Sequence, residues 1–221
     1  MIKKNKLLLI FFFIVFSTFN SNVQKQNFSI IFPIKNIIIE NTLAVDLIKL
    51  KSELESLKNT SLFFLNENKI VDIVEKHDFI SNAQLKKKFP STLKIFISEN
   101  IPVATEINQK KRYYLTKKGK KINYVELKIY ENLPLIFGNH KNFSIFFNNL
   151  EKNNFQINNV KSFYYFDIGR WDIVLKDQRT IKLPKNNYEN IFIKVNPILN
   201  DPSFSKYKIF DYRIKNQLIL Q

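Results

Sequence analysis

The stretch "HDFISNAQLKKKFPSTLKIFISENIPVAT" (residues 77–105) decides how this chain folds. Leu93, Ile95 and Ile97 alternate with Lys94, Phe96 and Ser98, the period-two pattern of a strand with one buried face. Pro90 has no N–H to give a ladder, so Phe89-Pro90-Ser91 reads as the turn between this strand and one before it. The alternation stops at Glu99, and Pro102 and Ala104 follow. Glu99 reads as architectural, a carboxylate at a strand end that can hold a backbone amide or the side chain of Lys94. Pro102 stiffens the exit into the next part of the chain.

Upstream, "IKNIIIEN" (34–41) is a β-branched run that reads as a strand. Thr42 is placed to cap a helix. Leu43, Leu47, Leu50, Leu54 and Leu57 then recur at spacings of four, three, four and three, one apolar helical stripe. A second helix is expected from about Glu67 to His77, with Ile70, Ile73 and Val74 inward. The order is β-α-α-β-β. Downstream, "RYYLTKKGKKI" (112–122) reads as strand, glycine turn, strand. "ENLPLIFGN" (131–139) reads as a loop because of Pro134 and Gly138. Phe143, Phe146, Phe147 and Leu150 fall at helical spacing and read as core. "GRWDIVLKDQRTIKLP" (169–184) reads as a hairpin turning at Lys176–Arg179, with Trp171, Ile173 and Leu175 on one face. An amphipathic helix follows in "NNYENIFIKVNPIL" (186–199), and "KIFDYRIKNQLILQ" (208–221) reads as a final strand. The fold class is α+β.

The N-terminus begins "MIKKNK", and no residue from 7 to 24 is charged. That window is about the shortest that can span a bilayer as a helix. A transmembrane anchor over 7–24 is expected, with 1–6 a cytoplasmic tail by the positive-inside rule. A cleaved secretory signal is the alternative, although the usual small-x-small cleavage pattern is missing. Both send the rest of the chain across a membrane.

The sequence offers little for catalysis. There is no Cys, which excludes disulfides and thiolate chemistry. The only histidines, His77 and His140, lack metal-ligand spacing, and His77 reads as a cation at a helix end. Nucleophile-elbow and phosphate-loop patterns are absent. Asp167, Asp172 and Asp177 read as exposed strand and turn carboxylates. No catalytic residue, cofactor or metal is expected, and the chain is not read as an enzyme. The net charge of +16 comes without an Arg-rich arm. With Lys, Asn, Ile and Phe heavy throughout, it reads as compositional drift plus a mild role at an anionic lipid surface, rather than nucleic-acid binding.

An anchor followed by β-α-α-β-β resembles a POTRA domain, and in detail that of the FtsQ/DivIB family of bacterial cell-division proteins. Residues 77–105 match the family pattern P-W-V-x-x-A-x-V-x-R-x-x-P-x-x-L-x-V-x-V-x-E-R-x-P-x-A. Ala83, Pro90, Leu93, Glu99, Pro102 and Ala104 fall in register. "IIIENT" and "TSLFFLN" resemble the family's first strand and interhelical link. In the second half, 131–139 resembles its "LP-x-I-x-G" connector. Residues 169–184 resemble "R-W-x-L-x-L-x-x-G-x-x-V-x-L-P", and 208–221 its terminal "x-I-D-x-R-Y" strand. Glu40, Phe79, Asn100, Gln178 and Ile214 depart from the usual Gly, Trp, Arg, Gly and Tyr.

The resemblance implies a POTRA domain over 30–105 and an FtsQ-type β domain over 106–221, with packed helices. It implies a single-pass protein of the bacterial inner membrane whose bulk is periplasmic, a divisome scaffold linking early and late division proteins. The implied partners are FtsB and FtsL, met by strand addition at the final strand. Contacts are expected at Lys208, Ile209, Phe210, Asp211, Tyr212, Arg213, Ile214, Leu218 and Leu220. Pro90, Glu99, Pro102 and Trp171 are expected to be structural. Two other classes would leave different marks. A POTRA protein of outer-membrane assembly or secretion would carry tandem POTRA units and a barrel. An envelope enzyme would carry paired carboxylates or a Ser/Lys or His site.

Overall fold

The computed structural model describes residues 2–17, 31–109, 111–138 and 141–221. Two compact units divide between Glu99 and Asn100. The first is built on β1 (Asn36–Glu40), α2 (Leu47–Leu54), α3 (Glu67–Val74), β2 (Ile80–Lys88) and β3 (Thr92–Glu99). It is preceded by helix α1 (Ile2–Ser17). Strand β3 is central, parallel to β1 and antiparallel to β2. Leu93, Ile95 and Ile97 are buried, with Leu50 and Leu54 of α2 and Ile70 and Val74 of α3. Burying each such side chain contributes about 1.5–3 kcal/mol. On the other face of β3, Lys94 pairs with Glu40 of β1, so the glutamate standing at the family's glycine position has a partner.

The first helix starts later than the leucine stripe predicts. Leu43 is 84 % exposed, and the cap is Asp46 rather than Thr42, accepting from Ile48 N–H and Lys49 N–H at 3.0 Å each. The cause is Glu99. Its carboxylate accepts from the amides of Leu43 (2.8 Å), Ala44 (3.0 Å) and Val45 (3.1 Å), holding them outside the helix. The last leucine of the stripe, Leu57, falls in a 3-10 turn, Glu55–Leu57. The second helix stops at Val74, short of His77. Instead of facing a helix end, His77 Nε2 lies 2.9 Å from Glu53 Oε2.

From Leu9 to Phe16, α1 is 50–70 % exposed at every residue. At 16 residues it is short for a span, and among the described residues no helix is long and apolar enough to cross a membrane. Residues 18–24 of the expected anchor lie outside the described residues.

The second unit is one nine-stranded mixed sheet with helices α4 (Phe143–Lys152) and α5 (Glu189–Asn200). Its strands are β4 (Pro102–Asn108), β5 (Lys111–Thr116), β6 (Lys121–Asn123), β7 (Leu135–Phe137) and β8 (Val160–Phe166), then β9 (Arg170–Leu175), β10 (Thr180–Lys182), β11 (Ile209–Asp211) and β12 (Ile219–Leu220). The spatial order is β12-β11-β10-β9-β8-β7-β4-β5-β6. Aromatic side chains fill the core. Phe146 of α4 stacks on Trp171 at 4.6 Å between centroids, and Phe192 of α5 meets Phe146 edge-on at 6.1 Å.

Two readings change here. Residues 135–137 are a strand, not a loop, parallel to both neighbours, β4 and β8. Ile136 is fully buried, and that burial outweighs the loop signal of Pro134 and Gly138. The stretch 208–221 is two short strands rather than one. The chain leaves the sheet after Asp211, turns through Asn216 (φ 60°), and returns as β12, antiparallel to β11. At the β9–β10 turn Gln178 has φ 73°, the left-handed conformation glycine takes without cost.

Candidate partner-binding surface

The residues singled out at the end of the sequence lie on and around β11 and β12, at one side of the sheet next to β10 and β9. Strand β11 is not an edge: β10 pairs with it on one side and β12 on the other. Phe210 and Tyr212 are buried in the core, while Arg213 and Ile214 are exposed on the segment that leaves the sheet. Lys208 is exposed; Ile209, Leu218 and Leu220 are half-buried.

The edge of the sheet is β12. Ile209 N–H donates to the Gln221 carbonyl at 3.0 Å, and Gln221 N–H returns the bond to Ile209 at 3.1 Å. Antiparallel pairing alternates such bonded pairs with open ones. Phe210 and Leu220 are therefore an open pair, and the N–H and C=O of Leu220 point away from the sheet. Ile214 and Ile219 are exposed beside this edge. Behind it, a cavity of about 590 Å³ lies between α5 and residues 212–218, with Lys194, Tyr212, Arg213 and Asn216 among its walls.

One face of these strands is a ladder of charge. Asp172 of β9 stands opposite Lys182 of β10, which stands opposite Asp211 of β11. Opposite charges facing across strands contribute about 0.2–1 kcal/mol per pair. Each acid also has its own arginine. Arg170 Nε donates to Asp172 at 3.1 Å. Arg213 grips Asp211 through Nε at 2.9 Å and Nη2 at 2.6 Å. The Arg213 hydrogen bonds pull the Asp211 carboxyl below its ordinary value, against its burial. In Asp172 burial wins and the pKa is raised, although Arg170 opposes the shift. Burial pushes Tyr212, whose hydroxyl has no hydrogen-bond partner, up to about 12.

Asp172 is thus buried and paired, not an exposed strand carboxylate. Arg170 and Lys182 were missed by sequence reasoning. For Arg170 the signal was present: Arg170 and Asp172 are two apart in β9, which puts both on one strand face.

Of the residues expected to be structural, Pro90 lies exposed in the turn between β2 and β3. Glu99 ends β3 and holds the three amides. Pro102 is buried as the first residue of β4, and Trp171 is buried against Phe146.

Residues 32–100 match the family model described as the FtsQ-type POTRA domain. The part of the first unit that follows α1 thus carries a POTRA-type domain. Over most of its length it is also related to proteins named cell division protein FtsQ. That of Rickettsia bellii (strain RML369-C) is 26 % identical over 213 residues, covering 93 % of this chain and 78 % of the relative. That of Rickettsia typhi (strain ATCC VR-144 / Wilmington) is 24 % identical over 205 residues, covering 91 % and 77 %. The Blochmanniella floridana protein of the same name is 28 % identical over 169 residues, covering 64 % of this chain and 58 % of its own. The resemblance read from residues 77–105 extends through both units.

Proposed function

We propose that this chain is a bacterial cell-division protein of the FtsQ kind, a non-enzymatic scaffold of the divisome. Its N-terminal apolar segment anchors it in the inner membrane with the N-terminus cytoplasmic and the POTRA and β units periplasmic. Support for the anchor is the all-round exposure of Leu9 to Phe16 on α1, an apolar surface that water would penalise. The scaffold recruits its partners, FtsB and FtsL by family resemblance, through the sheet edge at β12. The observation that carries this is the outward-facing backbone of Leu220, flanked by exposed Ile214, Ile219 and Arg213. A partner strand would pair with that backbone, and its acidic side chains would meet Arg213.

The test uses Leu220→Pro in the full chain. Proline removes the outward N–H and leaves the inward bonds of Ile209 and Gln221 in place. Capture of the FtsB–FtsL pair should fall at least ten-fold, with unfolding of the second unit little changed. Undiminished capture would move the interface away from β12. Deleting residues 208–221 would not serve, because Phe210 and Tyr212 belong to the core.

A further inference from the structure

The end of the POTRA unit at which the chain enters carries aromatic rings that the described residues leave open. Phe32 packs edge-on against Phe89 of the β2–β3 turn, 5.1 Å between centroids. The Phe32 carbonyl accepts from Leu62 N–H at 2.8 Å, and the Ser61 hydroxyl bonds the Ile31 carbonyl at 2.7 Å. These bonds bring Phe63 to the same end. Phe32, Phe63 and Phe89 are 41 %, 59 % and 53 % exposed. Lysines share this end. Lys35 N–H bonds the Ser91 carbonyl at 2.9 Å, and β2 finishes with Lys86, Lys87 and Lys88. Lys87 is paired with Glu67, but among the described residues no carboxylate pairs with Lys35, Lys86 or Lys88.

We propose that this end of the POTRA unit is a membrane-docking face. Phe32, Phe63 and Phe89 enter the interfacial layer of an anionic bilayer, and Lys35, Lys86 and Lys88 meet the lipid phosphates. The proposal rests on the reading of residues 7–24 as an anchor. Three observations select lipid as the occupant. Rings at the tip with cations around them match the layered chemistry of a bilayer surface, apolar below and phosphate above. The unpaired charge at this end is of one sign, complementary to anionic lipid. And Phe32 follows α1 after only residues 18–31, a reach of at most about 50 Å at full stretch. The face that docks is thus the face held to the membrane, where the tether keeps its effective concentration high.

The opposite end of β3 supplies a control. Leu43 is bonded through its amide to Glu99, about 23 Å along the strand from Thr92, and it is 84 % exposed. Because the chain has no cysteine, single labels are unambiguous. The full chain is reconstituted in vesicles of phosphatidylethanolamine and phosphatidylglycerol. A fluorophore is placed at Ile10→Cys, Leu43→Cys, Phe63→Cys or Phe89→Cys, and nitroxide-bearing lipids serve as quenchers. Quenching at 63 and 89 should be at least three-fold that at 43, with position 10 quenched most. Lys35→Gln, Lys86→Gln and Lys88→Gln together should halve the quenching at 89; no change would overturn the role given to phosphates. Quenching at 10 with none at 63 and 89 overturns the docking face and leaves the anchor standing. No quenching at 10 overturns the anchor itself. Labels at 63 and 89 shielded from aqueous iodide yet untouched by lipid quenchers mean that another occupant, residues 18–30 or a second copy, covers the face. That too overturns the proposal.

Discussion

Replacing Tyr212 with Phe deletes one oxygen and leaves the ring. That oxygen is buried without a hydrogen-bond partner, on a residue only 8 % exposed. A buried hydroxyl without a partner costs about 1–3 kcal/mol. The Tyr212→Phe variant should therefore be no less stable than the parent at pH 7, and more stable by about 1 kcal/mol. The alkaline range gives a second, larger reading. Burial raises the Tyr212 pKa from 10.0 to about 12. The folded state favours the neutral phenol, so this stabilisation is fully present below pH 10 and is lost as pH rises through 12. A shift of two pH units corresponds to roughly 2–3 kcal/mol. The pKa values of Tyr114 and Tyr188 are raised too, but both residues occur in both proteins and cancel in the difference. Urea unfolding followed by the fluorescence of Trp171, the single tryptophan and a member of the same core cluster, reads this unit directly. The advantage of the variant should grow by roughly 2 kcal/mol between pH 9 and pH 12. A variant less stable by about 1 kcal/mol at pH 7, with a pH profile parallel to the parent's, would refute the reasoning; the hydroxyl would then be satisfied in solution.

Glu99→Ala should release the amides of Leu43, Ala44 and Val45. Hydrogen exchange in the 42–46 segment should accelerate by about 100-fold, corresponding to a loss of about 2.7 kcal/mol, and unchanged exchange would remove Glu99 from this role. Gly138→Ala should prevent the second unit from folding, seen as loss of the Trp171 unfolding transition. Its φ is +91°, and a Cβ there would lie 2.2 Å from the Tyr165 carbonyl oxygen. Gln178→Gly should stabilise the β9–β10 hairpin by about 0.5–1 kcal/mol in urea unfolding, because the left-handed backbone at 178 strains any side chain.

Where folding is dictated by near neighbours, the sequence could be followed closely. The alternation through Leu93, Ile95 and Ile97 matches the buried face of β3, and Phe143, Phe146, Phe147 and Leu150 match the buried stripe of α4. Each element carries its own period. Three features were not legible because their causes lie far away in the chain. Leu43 fits the stripe, but a carboxylate 56 residues later takes its amide. Leu135–Phe137 is punctuated as a loop, and only two parallel neighbours make it a strand. Asp172 looks like a solvent-facing strand residue, yet long-range packing buries it beside Arg170. The candidate edge shows the same division. The segment 208–221 reads as a single final strand, and which part of it lies outermost depends on how β11 is enclosed by β10 and β12.

The parallel pairing of β1 with β3 has a consequence for synthesis. Strand β1 ends at Glu40, and its partner begins at Thr92, 52 residues later. At about 5–20 residues per second, β1 waits roughly 3–10 s for that partner to be made. During this interval Ile37, Ile38 and Ile39 lack the strand with which they pair. Any shielding of these three isoleucines has to last until β3 emerges. Slowed elongation between residues 41 and 92 would lengthen that exposure in direct proportion.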